Sequence, residues 1–151
     1  DEGDGQLAAK YVRLCSVQYK NGEPYSIVHL HLARDIFDMN AKRFMVAAAI
    51  PTIDAMDSIR LGEAHQTLVV GSAEPEIADL MKIPLGSPTV QCRCVITNDK
   101  GIAIYVADIF YRSDCIRLRI NLLGTEADRK KRAVGGDNAV SLFSRKSRKA
   151  L

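Results

Sequence analysis

The chain has 151 residues, 47% of them apolar, with five Tyr, four Phe and no Trp, which suits one globular domain with an aliphatic core. It contains no run of about 18 apolar residues, which excludes a membrane-spanning helix, and its acidic start, Asp1-Glu2-Gly3-Asp4-Gly5, lacks the basic and apolar regions of a signal peptide; a cytoplasmic location is expected. The formal charge of +3 is uneven: residues 126–151 hold eight Lys/Arg against three Asp/Glu, leaving thirteen basic and fifteen acidic groups on residues 1–125, a net −2 that excludes a phosphate-backbone footprint on the core.

In chain order, two strand-like runs between Lys10 and Ala33 flank Lys20-Asn21-Gly22-Glu23, and Asn-Gly between alternating β-branched segments predicts a β-hairpin. Arg34 to Asn40 reads as a short helical turn, and Lys42 to Met56 as a helix that Pro51 either kinks or restarts. Arg60 to Gly71 reads as a strand. Pro75 to Lys82 reads as a short helix, with Pro75 in the first turn and Glu74 and Glu76 at the positive end of its dipole; Ile83-Pro84-Leu85-Gly86-Ser87-Pro88 stops it. Three strands follow, Thr89–Thr97, Ile102–Arg112 and Cys115–Leu123, the first two joined by the turn Asn98-Asp99-Lys100-Gly101. The expected fold is α+β, a mostly antiparallel sheet with inserted helices. Residues 1–125 form the expected domain, and residues 126–151, with Gly135-Gly136 and a Ser/Arg/Lys-rich end, a basic flexible tail.

Few constellations carry chemistry. His29 and His31 share one face of a strand, a spacing that strand-borne metal sites use, but a cupin-like site would want a Glu where Asp35 stands and a His after Pro84-x-Gly86, and His65 has no assigned place. Cys92 and Cys94 also share a face, closer than zinc sites prefer, and all four cysteines, with Cys15 and Cys115, read as reduced, buried thiols. There is no GxSxG elbow, P-loop, GxGxxG or HExxH, so no nucleophile, metal or cofactor is expected. Tyr105 and Tyr111 lie six residues apart on one strand and so on one face, with Ala103, Ala107 and Ile109 leaving room near them for a guest; they read either as core or as a ligand wall.

Three segments resemble one family. Tyr11 to Pro24 (YVRLCSVQYKNGEP), Ala73 to Pro88 (AEPEIADLMKIPLGSP) and Asp99 to Asp114 (DKGIAIYVADIFYRSD) are similar, in order and spacing, to the strand and turn, the helix with its Gly-x-Pro stop, and the Asp-x-Gly turn with a Tyr-Arg-x-Asp strand end of the UTRA effector-binding domain of HutC-type GntR regulators. The resemblance spans about Lys10 to Leu123. It implies a chorismate-lyase-like fold and a non-enzymatic homodimer that binds a small metabolite and thereby tunes operator binding by an N-terminal winged helix. No such segment precedes Asp1, so the chain reads as part of a longer regulator that contacts DNA only through that missing half.

The same resemblance implies the effector positions. Relatives that bind phosphorylated amino sugars have two Arg where this chain has Ser16 and Gln18, a Glu at Val28, a Tyr near Ile50 and a Glu at Tyr105; Tyr111 alone matches outright. Loss of those charges argues against a phosphosugar and for a less charged effector, aromatic or a short organic acid. Hairpin register leaves two alternatives: a two-residue Asn21-Gly22 loop puts His29 on the face of Ser16 and Gln18, whereas a three-residue loop puts Val28 there, which the family pattern favours. An enzyme resembling chorismate lyase, acting on a small aromatic acid, is the alternative; it would need an acid/base and Arg clamps that Ser16, Gln18 and Val28 do not supply. A metal-binding protein using His29 and His31 is the third reading.

Overall fold

The computed structural model describes residues 4–117. These form β1 (Gln6–Leu7), β2 (Tyr11–Lys20), β3 (Glu23–Ala33), α1 (Arg34–Met39), α2 (Ala41–Phe44), α3 (Ala49–Asp54), β4 (Leu61–Ser72), α4 (Pro75–Met81), β5 (Pro88–Asn98) and β6 (Ile102–Arg112). The strands make one sheet in the order β2-β3-β6-β5-β4, antiparallel throughout, while β1 runs parallel to β6 at Ile102 and Ala103, beyond the stretch that β3 occupies. The α+β fold and its mostly antiparallel sheet are therefore as the patterning implies.

Local chemistry explains the turns. Asn21 and Gly22 take φ of 53° and 80°, the left-handed pair that a two-residue hairpin matching strand twist requires. Pro75 starts α4, where its missing N–H is no loss, and Lys82 ends it in the left-handed region. Strand β1, which the patterning does not announce, is pinned by the Tyr11 hydroxyl: it accepts from the Ala8 N–H at 3.0 Å and donates to the Ala103 carbonyl at 2.6 Å.

Two expected elements differ. The single helix over Lys42–Met56 is two short ones, α2 and α3, with Pro51 in the first turn of α3, so the restart and not the kink is found. Cys115 closes a turn onto the Arg112 carbonyl at 3.0 Å instead of opening a strand. The rest of the expected Cys115–Leu123 strand, the boundary at residue 125 and the tail over 126–151 lie outside the described residues.

Helices α1 to α3, inserted between β3 and β4, pack on one face of the sheet, where Leu30, Leu32, Cys94, Ile96, Tyr105 and Ala107 meet Ile36, Phe44 and Ile53. Helix α4 packs on the other, where Ile77, Ala78 and Met81 cover Ile27. The cysteines split accordingly: Cys92 and Cys94, on an inner strand, are buried, but Cys15 on the outermost strand β2 and Cys115 in its turn are exposed, contrary to the expectation of four buried thiols.

Candidate functional site

The hairpin register decides which residues share the helix-bearing face. The loop has two residues, with Lys20 opposite Glu23, yet a bulge follows: Tyr19 faces Pro24 and Gln18 faces Ser26, one residue of β3 being passed over. A bulge shifts every later side chain to the other face. The short loop thus yields the pairing that the longer loop was expected to give, with Ser16 opposite Val28. His29 faces Cys15 and Asp108 on the far side of the sheet and is not a neighbour of the other five candidates.

Cross-strand partners then place the remaining candidates in rows. One row runs Gln18, Ser26, Tyr111 and Val90; the next Ser16, Val28, Ile109 and Cys92; the third Leu14, Leu30, Ala107 and Cys94; the fourth Val12, Leu32, Tyr105 and Ile96. The helices cover the Tyr105 end, where Tyr105 is 4% exposed, and leave the other end open: Ser16 and Gln18 are exposed, and Val28, Ile109 and Tyr111 are half-buried. Tyr105 and Tyr111 start about 20 Å apart at about 3.3 Å per residue. Both stand on the face that carries Cys92 and Cys94, and those two thiols contribute to the upward shift of each phenol.

The electrostatics of this floor favour neutral groups. Burial pushes both phenols above the ordinary tyrosine range, with Cys92, Cys94 and the neighbouring phenols adding to it. Burial also raises the Cys92 thiol, which accepts a hydrogen bond from Gln66 Nε2, and pushes Cys94 up to about 11. All four therefore stay protonated near neutral pH. Among the described residues, neither the Tyr105 nor the Tyr111 hydroxyl has a hydrogen-bond partner, and the fully buried Ser26 Oγ has none. Gln18 is held by its neighbour, its Oε1 accepting from the Tyr25 hydroxyl at 3.0 Å.

The opposite face is built on charge. Arg93 donates to Asp108 at 3.0 Å and to Asp4 at 2.6 Å, and its guanidinium holds the Asp4 carboxyl down to about 2. His29 and His31 stand on this face, His29 edge-on to Phe110 with ring centroids 5.9 Å apart, while His65 lies three strands from His31 and 3.8 Å from Asp4. No group of three or more His, Cys, Asp or Glu among the described residues is arranged to hold a metal ion. A cavity of about 70 Å³ beside α4, between Glu74, Ile77, Gln91 and Phe110, is far smaller than a metabolite site of roughly 300 Å³ or more.

Sequence reasoning placed Ile109 beside the tyrosines but missed Ser26 and the role of Cys92 as floor. Once Val28 is fixed on the inner face, the strand period alone places Ser26 beside it.

The sheet is thus half-covered by inserted helices, with an uncharged floor open beside them. The chain belongs to the UTRA domain family, whose pattern matches residues 6–117. Membership makes it a ligand-binding regulatory domain of the kind carried by GntR-family transcription regulators, and the enzyme alternative is not favoured. It is similar to a GntR-family transcriptional regulator from Enterococcus faecalis (15% identity, TM-score 0.65, covering 74% of this chain and 80% of that one). It is likewise similar to the ligand-binding domain of a candidate GntR-family regulator from Bordetella bronchiseptica (21%, 0.62, 74% and 71%). A third similar structure, PhnF from Mycobacterium smegmatis (16%, 0.62), is covered over 48% of its length by 72% of this chain, so the chain spans about half of that regulator. No curated protein matches the chain.

Proposed function

We propose that this chain is the effector-sensing half of a cytoplasmic GntR-type regulator of the HutC kind, in which a small molecule on the open floor of the helix-bearing face alters operator binding by a winged helix elsewhere in the full-length protein. The observation that carries it is the placing of Tyr105 and Tyr111 on one sheet face with Val28, Ile109 and Cys92 in a row between them and Ser16 and Gln18 at its rim. That floor has an apolar base and a few convergent polar groups, as ligand sites do. It lacks what an enzyme would need: the phenols and thiols are held neutral, and no Asp, Glu, His or Arg stands in the rows. The domain works as a two-fold dimer, the commonest assembly and the one a two-fold operator matches.

Native mass spectrometry of the gently purified protein tests the reading, with a bound small molecule as the expected result and Val28→Trp, which fills the floor, abolishing it. A ligand that survives Val28→Trp overturns the site. Light scattering at tens of micromolar that returns the mass of one subunit overturns the dimer.

A further inference from the structure

We infer that the effector is an electrically neutral molecule bearing hydrogen-bond acceptors, and that Ser26, together with the Tyr105 and Tyr111 hydroxyls, meets those acceptors. This rests on the open floor being the effector site. Three hydroxyls on one sheet face have no partner among the described residues, and Ser26 Oγ is wholly buried as well. Buried hydroxyls are ordinarily bonded, so an unbonded one beside a binding surface marks a partner that arrives with the ligand. Ser26 sits in its row between Gln18, which is exposed, and Tyr111, which is half-buried, so the hydroxyl lies in the open end of the face.

Neutrality follows from what surrounds those donors. The rows of the inner face contain no Lys, Arg or His to balance an anion and no Asp or Glu to balance a cation. The helices over that face turn Ile36, Phe44, Thr52 and Ile53 inward, whereas Arg34, Lys42, Arg43 and Asp54 are exposed. The face already disfavours negative charge on its own phenols and thiols, and a carboxylate laid over it meets the same penalty. An amide, lactone, ketone or unphosphorylated sugar offers acceptors without charge, and the organic-acid class that sequence alone leaves open drops out.

The test uses matched probes on the whole chain at pH 7: benzamide against benzoate, nicotinamide against nicotinate, and N-acetylglucosamine against its 6-phosphate, by calorimetric titration. The expected result is that the neutral member of at least one pair binds about tenfold or more tightly than its anion, an unbalanced buried charge costing at least that. Ser26→Ala should weaken that probe severalfold while the melting temperature holds or rises, since the hydroxyl is bonded to nothing in the unliganded fold. Tighter binding of an anionic member, abolished by Val28→Trp, leaves the effector site standing and overturns neutrality. Unchanged affinity in Ser26→Ala with a lower melting temperature makes Ser26 structural and overturns its role. Binding that persists in Val28→Trp, or none by any probe at millimolar concentration, overturns the site itself and this inference with it.

Discussion

The two faces of this one sheet handle polarity in opposite ways. On the α4 side, Arg93 is clamped between Asp4 and Asp108, so this cluster holds its charges within hydrogen-bond reach of one another. On the side of α1 to α3, the rows of the sheet carry no charge, and the hydroxyls of Ser26, Tyr105 and Tyr111 have no partner among the described residues. Satisfied charge fixes geometry, here tying the chain before β1 to the middle of β5, whereas unsatisfied neutral donors cost stability and are retained where something else completes them. On the reading proposed above, the first face holds the fold and the second serves recognition.

The largest effect separates the covered from the open part of the recognition face. Leu32, 0% exposed and packed under the helices, should lose about 2 to 5 kcal/mol on Leu32→Ala, because the cavity cannot collapse in the middle of a sheet. Val28, four residues away on the same face and half-buried at the open floor, should lose only about 1 kcal/mol on Val28→Ala. Equal losses in urea denaturation would mean that the floor is core like the rest.

Next in size is the charged face. Arg93→Leu leaves two carboxylates facing each other across the removed guanidinium and should cost about 2 kcal/mol, less than a fully buried pair because Arg93 keeps 28% exposure. Adding Asp4→Asn should recover part of the loss. The pH dependence has a definite sign: the folded pKa of Asp4, about 2, lies below the roughly 3.9 of an unfolded chain. Its contribution is therefore complete above about pH 4 and is lost as pH falls toward 2. Melting temperatures between pH 6 and pH 2 should fall less steeply in Arg93→Leu than in the parent; parallel curves would show that Arg93 does not set the Asp4 carboxyl.

How far the sequence reaches can be judged at the hairpin. Asn21-Gly22 announces the turn, and the alternation of Ser26, Val28, Leu30 and Leu32 announces an inner face, so sheet, inserted helices and the tyrosine pair are all legible. The bulge at Gln18/Tyr19 is not, because nothing in Tyr19, Pro24 or Tyr25 marks a skipped residue, and that single residue decides between Val28 and His29. The restart at Pro51 is one of the two alternatives the sequence offers, but the extent of the break before it is not legible: the Met45-Val46-Ala47-Ala48 linker is apolar and helix-compatible, yet Met45 and Val46 are 66% and 86% exposed. Strand β1 escapes because a two-residue strand has no period to read. The Asp4–Arg93 tie joins residues 89 apart in sequence, beyond any local signal.

The smallest effect bears on the recognition face directly. Tyr105→Phe removes one hydroxyl and keeps the ring that packs with Leu32 and Ile96, so the fold should lose nothing measurable, the hydroxyl having no partner there. Affinity for the molecule identified by native mass spectrometry should fall by about 0.5 to 1.5 kcal/mol, the contribution of one neutral hydrogen bond. Tyr111→Phe should behave alike, since its hydroxyl is also without a partner among the described residues and it stands on the same face. Tyr105→Ala should lower both affinity and melting temperature, because it also removes the buried ring. The two Phe variants therefore separate binding from packing in a way the Ala variant does not. Wild-type affinity in both Phe variants, measured by calorimetric titration, would reduce the tyrosine pair to core and erase the contrast between the two faces.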